Sequence, residues 1–323
     1  MATEFVVMMP GRFGKHAELA LQALEQLETI ENRLSLYRPE SDVARLNRAA
    51  GLGPVKISAD CLTVLQRAVD LSRQTQGAFD VTAGPLVEAW GFTQRRGQKP
   101  AAEAINQALT RVGFAKLRLD STQGTAELLE PGMAVNLGAI GKGFALDRIA
   151  ATLRAGGVTE FLVHGGQSSV IAYGDDVPGT QSGWCVAVEH PLIRGRRLGG
   201  VRLRNEALAT SGSGKQFFHH QGQRMGHVID PRSGWPAGNL LSLTIIGPSA
   251  MDADALATGL FVLSGEQGLS SFGGGWVAVS PAGRQADVTV QYGGLRPDAW
   301  IAEGDRPSDV RRQDVPGLDT DVV

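Results

Sequence analysis

The chain carries little net charge. Its 31 Lys and Arg nearly balance 33 Asp and Glu, for a formal charge of −2 over 323 residues. That excludes the electrostatic footprint of a nucleic-acid binder or of a protein held on an anionic membrane. Aromatic residues are only 6% of the chain, too few for base-stacking platforms. There are two cysteines, Cys61 and Cys185, far apart in sequence. One sits in a helical apolar pattern and one in a strand pattern, so both are expected to be buried free thiols. No apolar run reaches the ~18 residues of a membrane span. Residues 1–10 lack a basic region followed by a long apolar one, so they read as a strand and not as a secretory signal. The cytoplasm is the expected compartment.

Glycine, by contrast, is plentiful. There are 42 glycines, against a usual share of about 7%. Tight turns and close backbone approaches, of the kind ligand loops need, are therefore expected. Hydrophobic residues make up 42%, and the length allows one large core or two smaller ones.

Apolar spacing predicts helices over 15–31, 58–76 and 101–112, the second with Ser58 as N-cap. Short strands are expected at 117–119 and 126–129 around a Thr-Gln-Gly turn. After a helix from Lys142, strands at 160–163 and 168–173 flank His164-Gly165-Gly166. Further strands are expected at 184–189, 198–203, 207–210, 240–246, 276–280 and 288–292, with a helix at 252–264. His219 and His220 read as part of a polar loop. Strand clusters separated by isolated helices favour α+β over a doubly wound sheet. From Arg296 onward the chain is rich in Asp, Arg and Pro. The expected organisation is one domain over 1–294 and a mobile tail over 295–323, of which Trp300 and Ile301 could dock.

The most informative stretch runs from Val135-Asn136-Leu137-Gly138-Ala139-Ile140 through Gly141-Lys142-Gly143-Phe144 to Asp147. It reads as a strand, a glycine-rich turn and a helix whose Leu146, Ile149, Ala150 and Leu153 share one face. Backbone N–H groups at such a turn form an anion cradle. A lysine at the positive end of a helix dipole suggests an anion close by. The spacing is not that of a Walker A loop, since Asn136 and Gly143 stand where that loop needs Gly and Ser or Thr. Ser211–Gln216 fails the same comparison, with Ala209 and Gln216 at those places. The alternative is a helix start that needs small residues for close packing.

Residues 251–263 open a helix that is apolar on nearly every face, as buried helices are. Asp254 and Thr258, four apart, share one face. A buried carboxylate and hydroxyl need partners, and a hard cation such as Mg²⁺ would be one. The alternative is that Asp252 or Asp254 caps the helix; Asp252 as cap would free Asp254. His227, in Gly226-His227-Val228-Ile229-Asp230-Pro231, can exchange a proton near neutral pH. Gly77-Ala78-Phe79-Asp80 reads as a helix C-cap followed by an Asx-type turn. Leu34–Asn47 reads as a strand, a turn and a helix with Ser41 as N-cap.

Taken in order, these segments resemble the ApbE family of FAD:protein FMN transferases. The resemblance runs from Met1-Ala2-Thr3 through Leu34–Asn47, Gly77–Phe92, Asn136–Asp147 and Gly165-Gly166. It continues through Ala209-Thr210-Ser211-Gly212, His227–Pro231 and Asp254–Leu263, nearly all of residues 1–293. It implies an α+β, T-fold-like architecture of mixed and antiparallel sheets flanked by helices. It implies an enzyme that splits FAD and joins FMN, through its phosphate, to a Ser or Thr hydroxyl of a target flavoprotein, releasing AMP with Mg²⁺ as the metal. By this resemblance the Ala139 carbonyl and the side chains of Asp254 and Thr258 would hold the metal. Met1, Tyr37, Ala78, Phe79, Asp80, Asn136, Lys142 and His227 would contact FAD, with Lys142 and His227 in catalysis.

The sequence departs from the family pattern in places. Asn136 stands where Asp is usual, and Ala2 where Gly is. Gln167 follows Gly165-Gly166, and Ser213-Gly214 replaces an acidic–aromatic pair. The lost carboxylates motivate a second reading, a non-catalytic FAD-binding protein; a third is an FAD pyrophosphatase giving AMP and FMN with water as acceptor.

Overall fold

A computed structural model of the chain describes residues 3–94, 97–177, 179–213, 217–263, 269, 272–283 and 286–302. Strand β1 (Phe5–Met8) and a 3-10 turn lead into helix α1 (Ala17–Leu34), which buries Ala20, Ala23, Ile30 and Leu34. Helix α1 continues to Leu34 because Ile30 and Leu34 stay on its core face. The strand expected from Leu34 is therefore the end of a helix followed by a turn. Helix α2 (Asp42–Arg48) begins where the Ser41 hydroxyl accepts the Ala44 N–H at 3.0 Å. Strand β2 (Val55–Lys56) precedes helix α3 (Ala59–Gln74), where Ser58 takes the Cys61 N–H at 3.3 Å. Helix α4 (Gly84–Ala89), with Pro85 in its first turn, and helix α5 (Ala102–Leu109) follow. Strands β3 (Leu117–Asp120) and β4 (Thr125–Leu128) pair with β2 in a small sheet.

Helix α6 (Gly141–Ala155) is followed by strands β5 (Phe161–Gly165), β6 (Ser169–Tyr173), β7 (Trp184–Glu189), β8 (Arg197–Leu203) and β9 (Glu206–Gly212). Strands β10 (Phe217–His220) and β11 (Gln223–Gly226) form a two-stranded ribbon where the sequence pattern suggests only a polar loop. Strand β12 (Ser242–Gly247), helix α7 (Ala250–Leu263) and strands β13 (Gly275–Pro281), β14 (Val288–Gly293) and β15 (Trp300–Ala302) complete the order. Trp300 and Ile301 dock by pairing with Val201 and Gly200 of β8; residues 303–323 of the expected tail lie outside the described residues.

The central sheet has seven strands in the order β1-β5-β6-β9-β12-β13-β14, all antiparallel. Successive side chains of a strand point to opposite faces, and β6 shows the result. Ile171 joins Leu146, Ile149 and Leu153 of α6 on one side, while Val170 and Ala172 join Leu198 and Val201 of the β7–β8–β15 sheet on the other. Both faces are covered, so β6 is an apolar run without polar alternation. The outer β7–β8–β15 sheet is covered on its inner side only. Cys185 is therefore exposed, contrary to the expectation of a buried thiol, since Trp184 and Val188 take the inward face. Cys61, on α3, is buried as expected, and burial pushes its thiol up to about 12.

Candidate active site

The sheet, α6, α7 and the loops around 36–38, 78–83, 190–195 and 227–231 enclose a cleft of about 1530 Å³. Helices α6 and α7 form its buried wall. They approach so closely at Gly143 that a Cβ there would meet the Ala250 carbonyl and stand 2.6 Å from the Met251 Cα. The Asp147 carboxylate fastens α6 to the start of α7. One oxygen accepts the Ala250 N–H at 2.8 Å; the other takes the Met251 N–H at 3.0 Å and the Ser249 hydroxyl at 2.8 Å. The Ser249 hydroxyl in turn accepts the Asp252 N–H at 3.2 Å. The cap of α7 is thus Ser249 with Asp147, not Asp252. Asp252 instead grips Arg67 by two bonds of 2.7 Å. Burial raises the pKa of Asp147 from the ordinary carboxylate value, against the three bonds that hold its charge.

With the cap supplied elsewhere, Asp254 faces the cleft while remaining 5% exposed. Its oxygens lie 3.2 and 3.3 Å from Lys142 Nζ, 3.2 Å from the Gly143 N–H and 3.3 Å from Ser169 Oγ. This alters the expected anion cradle. The N–H groups of Gly138, Ile140, Gly141 and Gly143 are already taken, by Asn136 Oδ1, by the Leu137 carbonyl twice and by Asp254. The anion that Lys142 signals is a carboxylate of the protein itself. Thr258 lies one turn beyond Asp254, and its hydroxyl shares a 2.8 Å bond with Ser211 Oγ. Among the described residues the Ala139 carbonyl accepts no hydrogen bond, and it borders the same cleft.

This donor set suits Mg²⁺ better than a metal that needs an all-protein cage. A carboxylate, a hydroxyl and a carbonyl are hard oxygen donors, and Mg²⁺ is usually held by one or two carboxylates, water and substrate phosphates. Among the described residues no group of three or more His, Cys, Asp or Glu forms a denser metal site.

The remaining expected residues that are described border the same space. Phe79 is buried against α7, where a Cβ at Gly259 would come 2.9 Å from its own Cβ. Asp80 is buried and engaged: its oxygens accept the Thr82 N–H and hydroxyl at 2.8 and 2.7 Å and the Phe114 N–H at 2.7 Å. Burial raises its pKa, and those bonds partly offset the rise. Asp80 thus shapes the loop that places Ala78 and Phe79. Asn136 Oδ1 closes a turn onto the Gly138 N–H at 2.9 Å, work that one carboxylate oxygen would also do. Tyr37 stands at the rim, 70% exposed, and His227 is half-buried with its ring edge-on to Phe92 at 6.3 Å. Gln167 lines the cleft; Met1, Ala2 and Gly214 lie outside the described residues. Sequence reasoning missed Ser169, Ser211, Asp147 and His190. Their partners lie between 2 and 104 residues away, and none carries a spacing signal of its own.

The structure is an α+β scaffold with a carboxylate–lysine pair and a histidine on one large cleft, and sequence comparison supplies the family. A model of the ApbE family matches residues 1–273, and the chain belongs to that family. It is 35% identical over 251 residues to the FAD:protein FMN transferase of Haemophilus influenzae, covering 75% of this chain and 72% of that one. It is 32% identical over 276 residues to the Escherichia coli K12 protein of the same name, covering 83% and 77%. The solved structure of flavin transferase ApbE from Vibrio cholerae superposes with a TM-score of 0.76 at 28% identity, covering 90% of this chain and 94% of that one.

Proposed function

We propose that this protein is an FAD:protein FMN transferase that uses Mg²⁺, moves FMN from FAD to a Ser or Thr hydroxyl of a target flavoprotein, and releases AMP. The observation that carries this reading is the meeting of Lys142, Asp254, Thr258 and His227 on one cleft of a chain that belongs to the ApbE family. The acceptor oxygen forms a bond to the FMN phosphorus. The phosphoanhydride P–O bond breaks, AMP departs with the bonding pair, and the hydroxyl proton is lost. Such a reaction needs positioning and charge neutralisation more than covalent help.

Asp254, Thr258 and the Ala139 carbonyl are the groups that would hold Mg²⁺. When bound, the metal supplies positive charge to the phosphate oxygens. Lys142 borders the same cleft beside Asp254, and its ammonium adds a second positive charge toward those phosphates. His227 lies on the cleft wall, where an imidazole can take the hydroxyl proton. Asn136 preserves the turn that shapes Gly138 and Ala139.

Incubation with FAD, Mg²⁺ and candidate acceptor flavoproteins tests this. One FMN gained per acceptor with matching AMP is the expected result. Bound, intact FAD with no AMP would mark a binding protein. AMP and free FMN without an acceptor would mark a pyrophosphatase.

A further inference from the structure

The cleft is also lined by residues of the connection between β7 and β8, residues 190–196. Its first residue, His190, is 4% exposed, and its ring and backbone N–H are all engaged. Nδ1 accepts the N–H groups of Leu192 and Ile193, each at 3.1 Å, and Nε2–H donates to the Ala286 carbonyl at 3.0 Å. Its backbone N–H closes the loop onto the Arg196 carbonyl at 2.8 Å, and Gly195 turns the chain at φ +76°. An imidazole that accepts at Nδ1 and donates at Nε2 is neutral and of one tautomer. Burial favours that neutral form, lowering the pKa from 6.5. A side chain so fully used by its own loop fixes the loop's shape and docks it on the segment before β14.

The loop presents Arg194 at the cleft. Among the described residues two other permanent cations line this space, and both are engaged. Lys142 is paired with Asp254, and Arg38 bonds to Glu28 at 2.6 and 3.1 Å and to Glu31 at 3.3 Å. Arg194 has no hydrogen-bond or ion-pair partner among the described residues, and Glu189 on the same hairpin does not pair with it. With Arg196 and Arg197 beside it, the hairpin tip is locally basic in a chain whose net charge is −2. A guanidinium that borders a cleft without a carboxylate of its own can bind a phosphate by two parallel bonds.

We propose that Arg194 is an anion-binding residue of the cleft, taking a phosphate of the bound dinucleotide, and that His190 is the positioning residue that holds its loop in place. The inference rests on the reading of the cleft as an FAD site. It adds a cationic contact from the β7–β8 connection to that of Lys142 on α6.

The test is fluorescence titration of the full-length protein with FAD and with riboflavin, at two salt concentrations, without turnover. Arg194→Ala should weaken FAD about tenfold, the worth of one charge-assisted contact. It should flatten the salt dependence of FAD binding and leave riboflavin affinity as in the parent. His190→Ala should weaken FAD to a similar degree. His190→Asn, whose amide oxygen can still accept the Leu192 and Ile193 N–H groups, should recover most of the loss. The double variant His190→Ala/Arg194→Ala should bind FAD no worse than Arg194→Ala, because the two act as one unit. Unchanged FAD affinity in Arg194→Ala, or equal loss of FAD and riboflavin, would overturn the proposal while leaving FAD binding by the parent intact. Failure of the parent to bind FAD would remove the FAD site and this inference together.

Discussion

The two walls of the cleft are built on different principles. The α6/α7 wall is buried, glycine-tight and closed. Asp254 has a partner for each oxygen, and Asp147 ties the two helices together. The β7–β8 wall ends in a solvent-facing loop, fixed by the His190 imidazole and carrying Arg194, which is unpaired among the described residues. The first wall fixes charge before any ligand arrives, which is where electrostatic preorganisation is worth most. The second keeps a charge in reserve, which suits recognition of an anion arriving from water. Damage to the first wall should therefore fall on chemistry and fold, and damage to the second on binding.

Three substitutions test that division. Asp254→Ala should have the largest effect. Turnover, read as AMP release, should fall on the order of 10³-fold or below detection, a loss typical of removing a preorganised charge from a reaction centre. The far-UV spectrum should be retained; undiminished turnover would take Asp254 out of the reaction. Gly143→Ala comes next. Its methyl has no room against the Ala250 backbone, so α6 and α7 must part. Denaturant unfolding should show a loss of about 2–3 kcal/mol. A variant as stable as the parent would mean that the wall is not tightly closed.

The third and smallest effect concerns pH. Because burial lowers the His190 pKa, its stabilising contribution is complete above the unfolded value of 6.5 and is lost as pH falls through the folded value. The parent should therefore lose slightly more Tm than His190→Asn on acidification from pH 7, by about 1–2 °C. Parallel melting curves across that range would show that the imidazole carries no such load.

The division between the walls also governs what the sequence could reveal. Helix α7 was legible because thirteen largely apolar residues, 251–263, must be buried, and Asp254 with Thr258 because spacing of four puts both on one face. Ser41 and Ser58 were legible as caps because a cap acts within three residues. The cap of α7 was not, since Asp147 reaches it from 103 residues away. That long-range bond made Asp252 look like the cap when its partner is Arg67. Cys185 misled because an apolar strand pattern does not say whether one or both faces are covered. The β10–β11 ribbon was missed because Phe217, His219 and His220 show no clean alternation. His190 carried no signal at all, since its partners are backbone groups, which any sequence would supply.

Strand β15 adds a consequence for where the chain can be cut. Composition alone places a boundary near residue 295, yet Trp300–Ala302 pairs along β8 and Trp300 stacks on Tyr292 at 5.1 Å. A chain trimmed at that boundary would leave the outer side of β8 as a bare row of backbone donors and acceptors beside apolar Leu198 and Val201, a template for another molecule's strand. The three residues of β15 thus act as a seal against self-association.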